Sequence, residues 1–326
     1  NIPFTFTQTT TAAAGWYLSP AISIPVAGQI NGLKLRWTKS GTIACRLDDI
    51  SLTGILPVPT VNVTGTFAKF YANDGLGSEV QSVSVSGNNL TNNITVGPTT
   101  GFEFSTSSVG PFSSSLTLNQ SAGTVASTTI FCRVPSTNAV GTYSGNVDFV
   151  SSPATTVQRA VSGQVYSNGV AFTTGNIVTL RVGEVGGTTL TTNSAPVFID
   201  EYTTTGTFVQ SVPMPFVTNG TNRKFTMSGT STTEGFLNLS PDGQYLTFGG
   251  YDNIPGISGI SSTTATSTNR IVARVTQNGS VNTTTRISDG YDANSIRSAA
   301  TVDGTAFWTG GAGTGGGTRY VALGAS

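Results

Sequence analysis

The chain contains no histidine. Ser-His-Asp and Cys-His catalysis both need an imidazole base, so both are excluded. Most zinc sites and the facial-triad iron sites are excluded with them, since those need histidine or several cysteines. There are only two cysteines, Cys45 and Cys132, too few for a four-cysteine cluster. Charge is scarce as well: 15 Lys and Arg against 15 Asp and Glu, 9% of 326 residues, where about 25% is usual. A net charge of zero offers no basic face to displace counterions, so nucleic acid is not an expected partner. No apolar run approaches the ~18 residues of a membrane helix, and no membrane insertion is expected. No basic segment followed by an apolar one opens the chain, so no signal peptide is visible. The chain begins Asn1-Ile2-Pro3 without Met, the expectation for a mature product or a fragment.

What is abundant is hydroxyl and glycine: 55 Thr, 36 Ser and 40 Gly. Hydroxyls and backbone amides take the solubilising role that Lys and Glu usually have. The 37% of hydrophobic residues is rich in Val, Ile and Phe. With Thr and Tyr these are strand formers, while Leu, Ala, Glu and Lys never cluster at helical spacing. The fold class read from this is all-β.

The sequence divides into three regions. Residues 1–56 carry strands such as Leu33-Lys34-Leu35-Arg36-Trp37, alternating apolar and basic as a half-buried strand does. They are too few for an ordinary sandwich of about 100 residues, so they read as its C-terminal half. Pro57-Val58-Pro59-Thr60 is a stiff linker. Residues 61–167 then place short strands about 8–14 residues apart: Val80 to Val85, Ile94 to Val96, Phe102 to Phe104, Leu116 to Leu118, Thr129 to Val134, Tyr143 to Val150 and Gln158 to Val165. Some seven short strands separated by turn residues is a β-sandwich signature.

Residues 168–326 change character. Hairpin turns are expected at Thr205-Gly206, Asp242-Gly243, Asn278-Gly279 and Asp303-Gly304. The segment 235–250 is echoed by 296–311, with 61 residues between the Asp-Gly turns, and 202–209 is echoed by 274–281. An outer hairpin followed by an inner one, repeated, makes four-stranded β-propeller blades. About two blades cannot close a ring, so the chain reads as a segment of a larger protein.

Several of these blocks are familiar. Gly87-Asn88-Asn89-Leu90-Thr91, Gly101-Phe102-Glu103-Phe104-Ser105, Thr128 to Val134, Gly141-Thr142-Tyr143-Ser144-Gly145 and Val161-Ser162-Gly163 together resemble an immunoglobulin-like module. That module recurs in large secreted and surface proteins of gliding, biofilm-forming bacteria. It usually carries an aliphatic residue where this chain has Cys132. Residues 176–326 resemble a propeller region found beside such modules, and 33–54 resemble the closing strands of a lectin-like jelly roll. The resemblance implies an extracellular, exported, multidomain protein. It implies no reaction, because such modules serve enzymes and adhesins alike.

Candidate site residues are few. Asp48 and Asp49 could supply oxygens to Ca²⁺, but neighbouring strand residues point to opposite faces. No other cofactor is expected. Asp289, Asp292 and Asp252 sit in inter-hairpin loops without calcium-loop spacing. Glu234 and Arg297, at matching ends of the echoed hairpins, could grip a polar ligand or form a structural ion pair. Trp16, Tyr17 and Trp37 could stack on sugars or fill a core. Cys45 and Cys132 read better as two buried thiols than as a disulfide. The expected function is structural or adhesive and non-enzymatic, at the cell surface, with glycans or neighbouring copies as partners. Three alternatives remain open at this point: a carbohydrate-binding accessory region of a larger secreted hydrolase, an enzyme acting through propeller carboxylates such as Glu234 or Asp292, and a self-assembling fibre subunit completed by strand addition.

Overall fold

The structure is a computed structural model that describes residues 57–326. Contacts divide the chain after Val58, and the described strands all belong to the unit from Pro59 to Ser326. Its elements are strands, with a single 3₁₀ turn at Ile260–Ser262 and no α-helix among the described residues. The protein is all-β.

The first nine strands are β1 (Thr60–Thr64), β2 (Phe70–Asn73), β3 (Gln81–Asn88), β4 (Ile94–Val96), β5 (Glu103–Ser105), β6 (Leu116–Leu118), β7 (Val125–Arg133), β8 (Gly141–Val150) and β9 (Val157–Tyr166). They form two sheets, ordered β1-β3-β7-β5 and β2-β9-β8-β4-β6. The period of two decides which faces meet. In β3, Val83 and Val85 are buried while Ser82, Ser84 and Ser86 alternate with them on the other face. On that face Ser84 and Ser127 bond to each other across the strands at 2.8 Å, so hydroxyls line the wet side. One core fills the space between the sheets, with Phe70, Val85, Phe104, Ile130, Phe149 and Val161 among its members. Full burial of each such side chain stabilises by about 1.5–3 kcal/mol. Cys132 is part of this core as a free thiol. Two strands have no counterpart in the sequence reading. β1 begins where the linker was expected to end, and β2 pairs in parallel with β9. Both are short, and both depend on partners distant in the chain.

The remaining strands are β10 (Ile177–Val182), β11 (Ser194–Tyr202), β12 (Phe208–Pro213), β13 (Thr226–Ser228), β14 (Asn238–Leu239), β15 (Tyr245–Tyr251), β16 (Arg270–Thr276), β17 (Val281–Ile287), β18 (Ile296–Ala300), β19 (Ala306–Gly311) and β20 (Gly317–Ala322). Strands β10 to β17 form one eight-stranded sheet, and β18-β19-β20 a second. In β16, Ile271, Ala273 and Val275 enter one core, while Val272 enters another with Phe307 and Ile296. The sheet is therefore covered on both sides, as its near-continuous apolar run requires. The echoed units do not each own a sheet: β15 pairs with β16, joining the inner hairpin of the first unit to the outer hairpin of the second. The expected turns are all present, but only their glycines take positive φ: +85° at Gly206, +70° at Gly243, +82° at Gly279 and +76° at Gly304. The residues before them stay at negative φ, as in longer hairpin loops with one left-handed glycine. Asp242 and Asp303 instead accept bonds from the chain two residues on, at 3.0 Å each.

Candidate functional site

A bonded polar centre lies where the sandwich meets the second region. Lys69 immediately precedes β2, Tyr71 lies within it two residues on, and Tyr166 ends the neighbouring β9. All three converge on Glu184, which lies just beyond β10. Lys69 Nζ lies 2.6 Å from Oε1, the Tyr71 hydroxyl donates to Oε2 at 3.1 Å, and the Tyr166 hydroxyl donates to Oε1. Burial alone would raise the Glu184 pKa, but these donors outweigh it and hold the carboxylate below its ordinary value. Burial, reinforced by the adjacent carboxylate, pushes both tyrosines far above theirs.

Around this centre Tyr71, Tyr166, Phe198 and Phe216 form an aromatic cluster with ring separations of 5.0 to 6.2 Å. Phe198 reaches it because β11 alternates: Val197 and Ile199 enter the second region's core, and Phe198 faces the seam. Asn73 is buried beneath the cluster and accepts from the Phe216 backbone N–H at 3.0 Å. Lys224 and Glu79 add an ion pair of 3.3 Å.

The connecting segment is itself tied down. The Gln210 amide accepts from Val170 N at 3.0 Å and donates to Val170 O at 3.1 Å. Phe172 N donates to Gln277 O at 2.9 Å, and Thr173 N donates to Glu201 at 2.7 Å. Glu201 also accepts from Asn176 and Gln210 at 2.7 Å each. Burial would raise its pKa, but these donors lower it. Beside it, Asp200 is held by Arg181 through two bonds of 2.6 and 3.1 Å.

Of the residues singled out in the sequence, Trp16, Tyr17, Trp37, Cys45, Asp48 and Asp49 lie outside the described residues. Glu234 is placed between the echoed hairpins. Its carboxylate accepts from the Tyr251 hydroxyl at 2.7 Å, Ser295 Oγ at 2.8 Å and Ser228 N at 3.2 Å. Arg297 falls in a bulge of β18 and is exposed. Its carbonyl accepts from Phe236 N at 3.4 Å. Among the described residues no ion pair joins the Arg297 and Glu234 side chains. Asp289 pairs with Arg319 at 2.7 Å, and Asp292 accepts from Ala265 N at 2.6 Å. No group of three or more potential metal ligands occurs among the described residues. No helix there is long and apolar enough to cross a membrane.

Sequence reasoning missed Glu184 and its three donors. Lys69 and Tyr71 at strand spacing were a signal, but nothing local says that a carboxylate some 115 residues on lies against them. It also missed Arg270, which is fully buried. Its guanidinium donates to the carbonyls of Thr268, Thr263 and Asn294 at 2.7, 2.7 and 2.8 Å and lies 5.2 Å from the centre of the Tyr251 ring. An arginine opening the apolar run Arg270-Ile271-Val272-Ala273 was the available signal.

No protein-family model matches the chain, and no curated protein matches it. Among solved structures the chain is similar to one titled "Structure of the S-layer protein SbsC, domains 5-6", at 15% identity and a TM-score of 0.18, covering 75% of this chain and 97% of that one. So slight a likeness carries nothing about fold or function.

Proposed function

We propose that this chain is a stiff, non-enzymatic structural segment of an extracellular or cell-surface protein, adhesive through its exposed sheet faces. The observation that carries the reading is the seam on Glu184. Flexibly linked domains swing relative to one another by default. Here a half-buried carboxylate, four aromatic rings and a hydrogen-bonded connection hold two β-modules in one orientation. That arrangement suits a part which sets a distance or transmits tension between its ends. The composition agrees with it: a surface solubilised by hydroxyls changes little with ionic strength, unlike one held by charges. Within this reading the sandwich is an immunoglobulin-like module. The second region is built of propeller-type blades, with β14 to β17 as one four-stranded meander and the β18–β20 sheet stacked on its back.

The test is protease shaving of intact cells that produce the protein, with peptide mapping. Peptides from residues 59–326 should be released before lysis. Their release only after lysis would refute the surface role.

A second reading, assembly by strand addition, is favoured by the outer edge of β20, which pairs with β19 alone. Light scattering that shows only monomer at every concentration would remove it.

A further inference from the structure

The outward face of the β18–β20 sheet carries an aromatic pair that the fold does not use. Pairing across the three strands aligns Ala300, Trp308 and Tyr320 in one row, and Ser298, Gly310 and Thr318 in the next. Strand side chains alternate, so both rows share one face. The opposite face holds Phe307 and Ala299 in the core. Trp308 is 45% exposed and Tyr320 66%, and their rings meet edge-on at 5.2 Å. The six residues of these rows are all uncharged.

The second row adds space and hydrogen-bonding groups. A Cβ on Gly310 would meet Ser298 Oγ at 3.1 Å and nothing else within 4 Å. The glycine therefore leaves an open shelf beside the indole, with hydroxyls on both neighbouring strands. Ser298 Oγ and Thr318 Oγ1 have no hydrogen-bond partner among the described residues. Elsewhere in this region the Ser and Thr hydroxyls are largely spent on the chain itself, as at Thr301, Thr305 and Thr309.

We propose that this face binds a neutral glycan, with a pyranose ring stacked on Trp308 and its edge hydroxyls bonded to Ser298 and Thr318. A pyranose presents an apolar C–H face that an aromatic ring can cover, rimmed by hydroxyls that need partners. Two rows of uncharged residues with free hydroxyls complement it in hydrogen bonding, with the exposed Arg297 in the bulge beside Ser298. An ionic ligand finds no counter-charge in these rows. A peptide strand would add to the edge of β20 and would not lie across the face. Neither Trp16 nor Trp37 is among these residues, and the site stands on this geometry whether or not the protein proves to be a surface spacer.

The test uses the full chain and titration calorimetry with cellohexaose, chitohexaose, xylohexaose, mannohexaose and maltohexaose. At least one should bind saturably at millimolar concentration or below. Trp308→Ala should weaken that binding at least tenfold. Gly310→Val, which fills the shelf and leaves the rings intact, should weaken it too, while Trp16→Ala with Trp37→Ala leaves it unchanged. Circular dichroism checks that each variant is folded. The proposal fails if none of the five binds, or if binding survives Trp308→Ala. Self-association that Trp308→Ala abolishes, with no hexaose bound, would make the face a contact between copies and would overturn it as well.

Discussion

Ser295 donates a 2.8 Å hydrogen bond to Glu234, the residue 61 positions before it in the chain. That is also the offset of the sequence echo. Asn238 likewise donates to Ala299 O, again 61 residues on, at 3.0 Å, and Phe236 bridges Ser298 in parallel. When two like hairpins lie side by side in parallel, equivalent residues come level and bond to each other. The echo is thus a spatial contact, and Glu234 is a tie between the two hairpins. Glu234→Ala should leave the buried Tyr251 hydroxyl without its acceptor and lower stability by about 1–3 kcal/mol. Urea denaturation measures this, and an unchanged midpoint would contradict it.

Glu184 performs the same task between modules. Glu184→Ala removes the acceptor of Tyr71, Tyr166 and Lys69 together. The full-length variant should melt earlier, with two separated transitions in place of one, and small-angle scattering should show a broader distribution of shapes. A single transition at the original temperature would show that the aromatic cluster holds the seam alone.

The carboxylates of Glu184 and Glu201 sit below their ordinary value of 4.5 because the donors around them outweigh burial. Their contribution is complete above that value. As pH falls through and below it, the unfolded chain takes up protons that the folded carboxylates resist, and stability drops. The urea midpoint should be flat from neutrality to about pH 5 and then decline, with a shallower decline in Glu201→Gln. A midpoint that rises on acidification would reverse the assignment.

Arg270 is held by the backbone carbonyls of Ser261, Thr263, Thr268 and Asn294. Arg270→Met should strand these acceptors and cost about 1–3 kcal/mol, the range for leaving buried acceptors unsatisfied. The loop at 259–268 should then become the first site of limited proteolysis. Cleavage at an unchanged rate would mean the loop is ordered by something else.

Cys132 is buried in the sandwich core, and burial, followed by the charge of Glu103, pushes its thiol pKa far up. In a Cys45→Ser background the native protein should not react with a thiol reagent on the timescale of minutes, and one equivalent should react in urea. Rapid labelling of the native state would show the core to be open.

Much of the architecture was legible one strand at a time. Val83 and Val85 alternating with serines announce β3 and its buried face without any partner. The glycines at 206, 243, 279 and 304 announce their turns, because L-residues rarely take that backbone conformation. Periodicity and turn chemistry are local, so sequence alone determined that the chain is all-β and where most of its strands run. Tertiary structure decided the rest. It paired β15 with β16 across the expected repeat boundary, brought Lys69 and Tyr166 to Glu184, gave Glu234 to Ser295, and left Trp308 and Tyr320 facing solvent. Each of those outcomes depends on which distant strands share a sheet or a face, and a carboxylate or an indole carries no mark in sequence of what will lie against it.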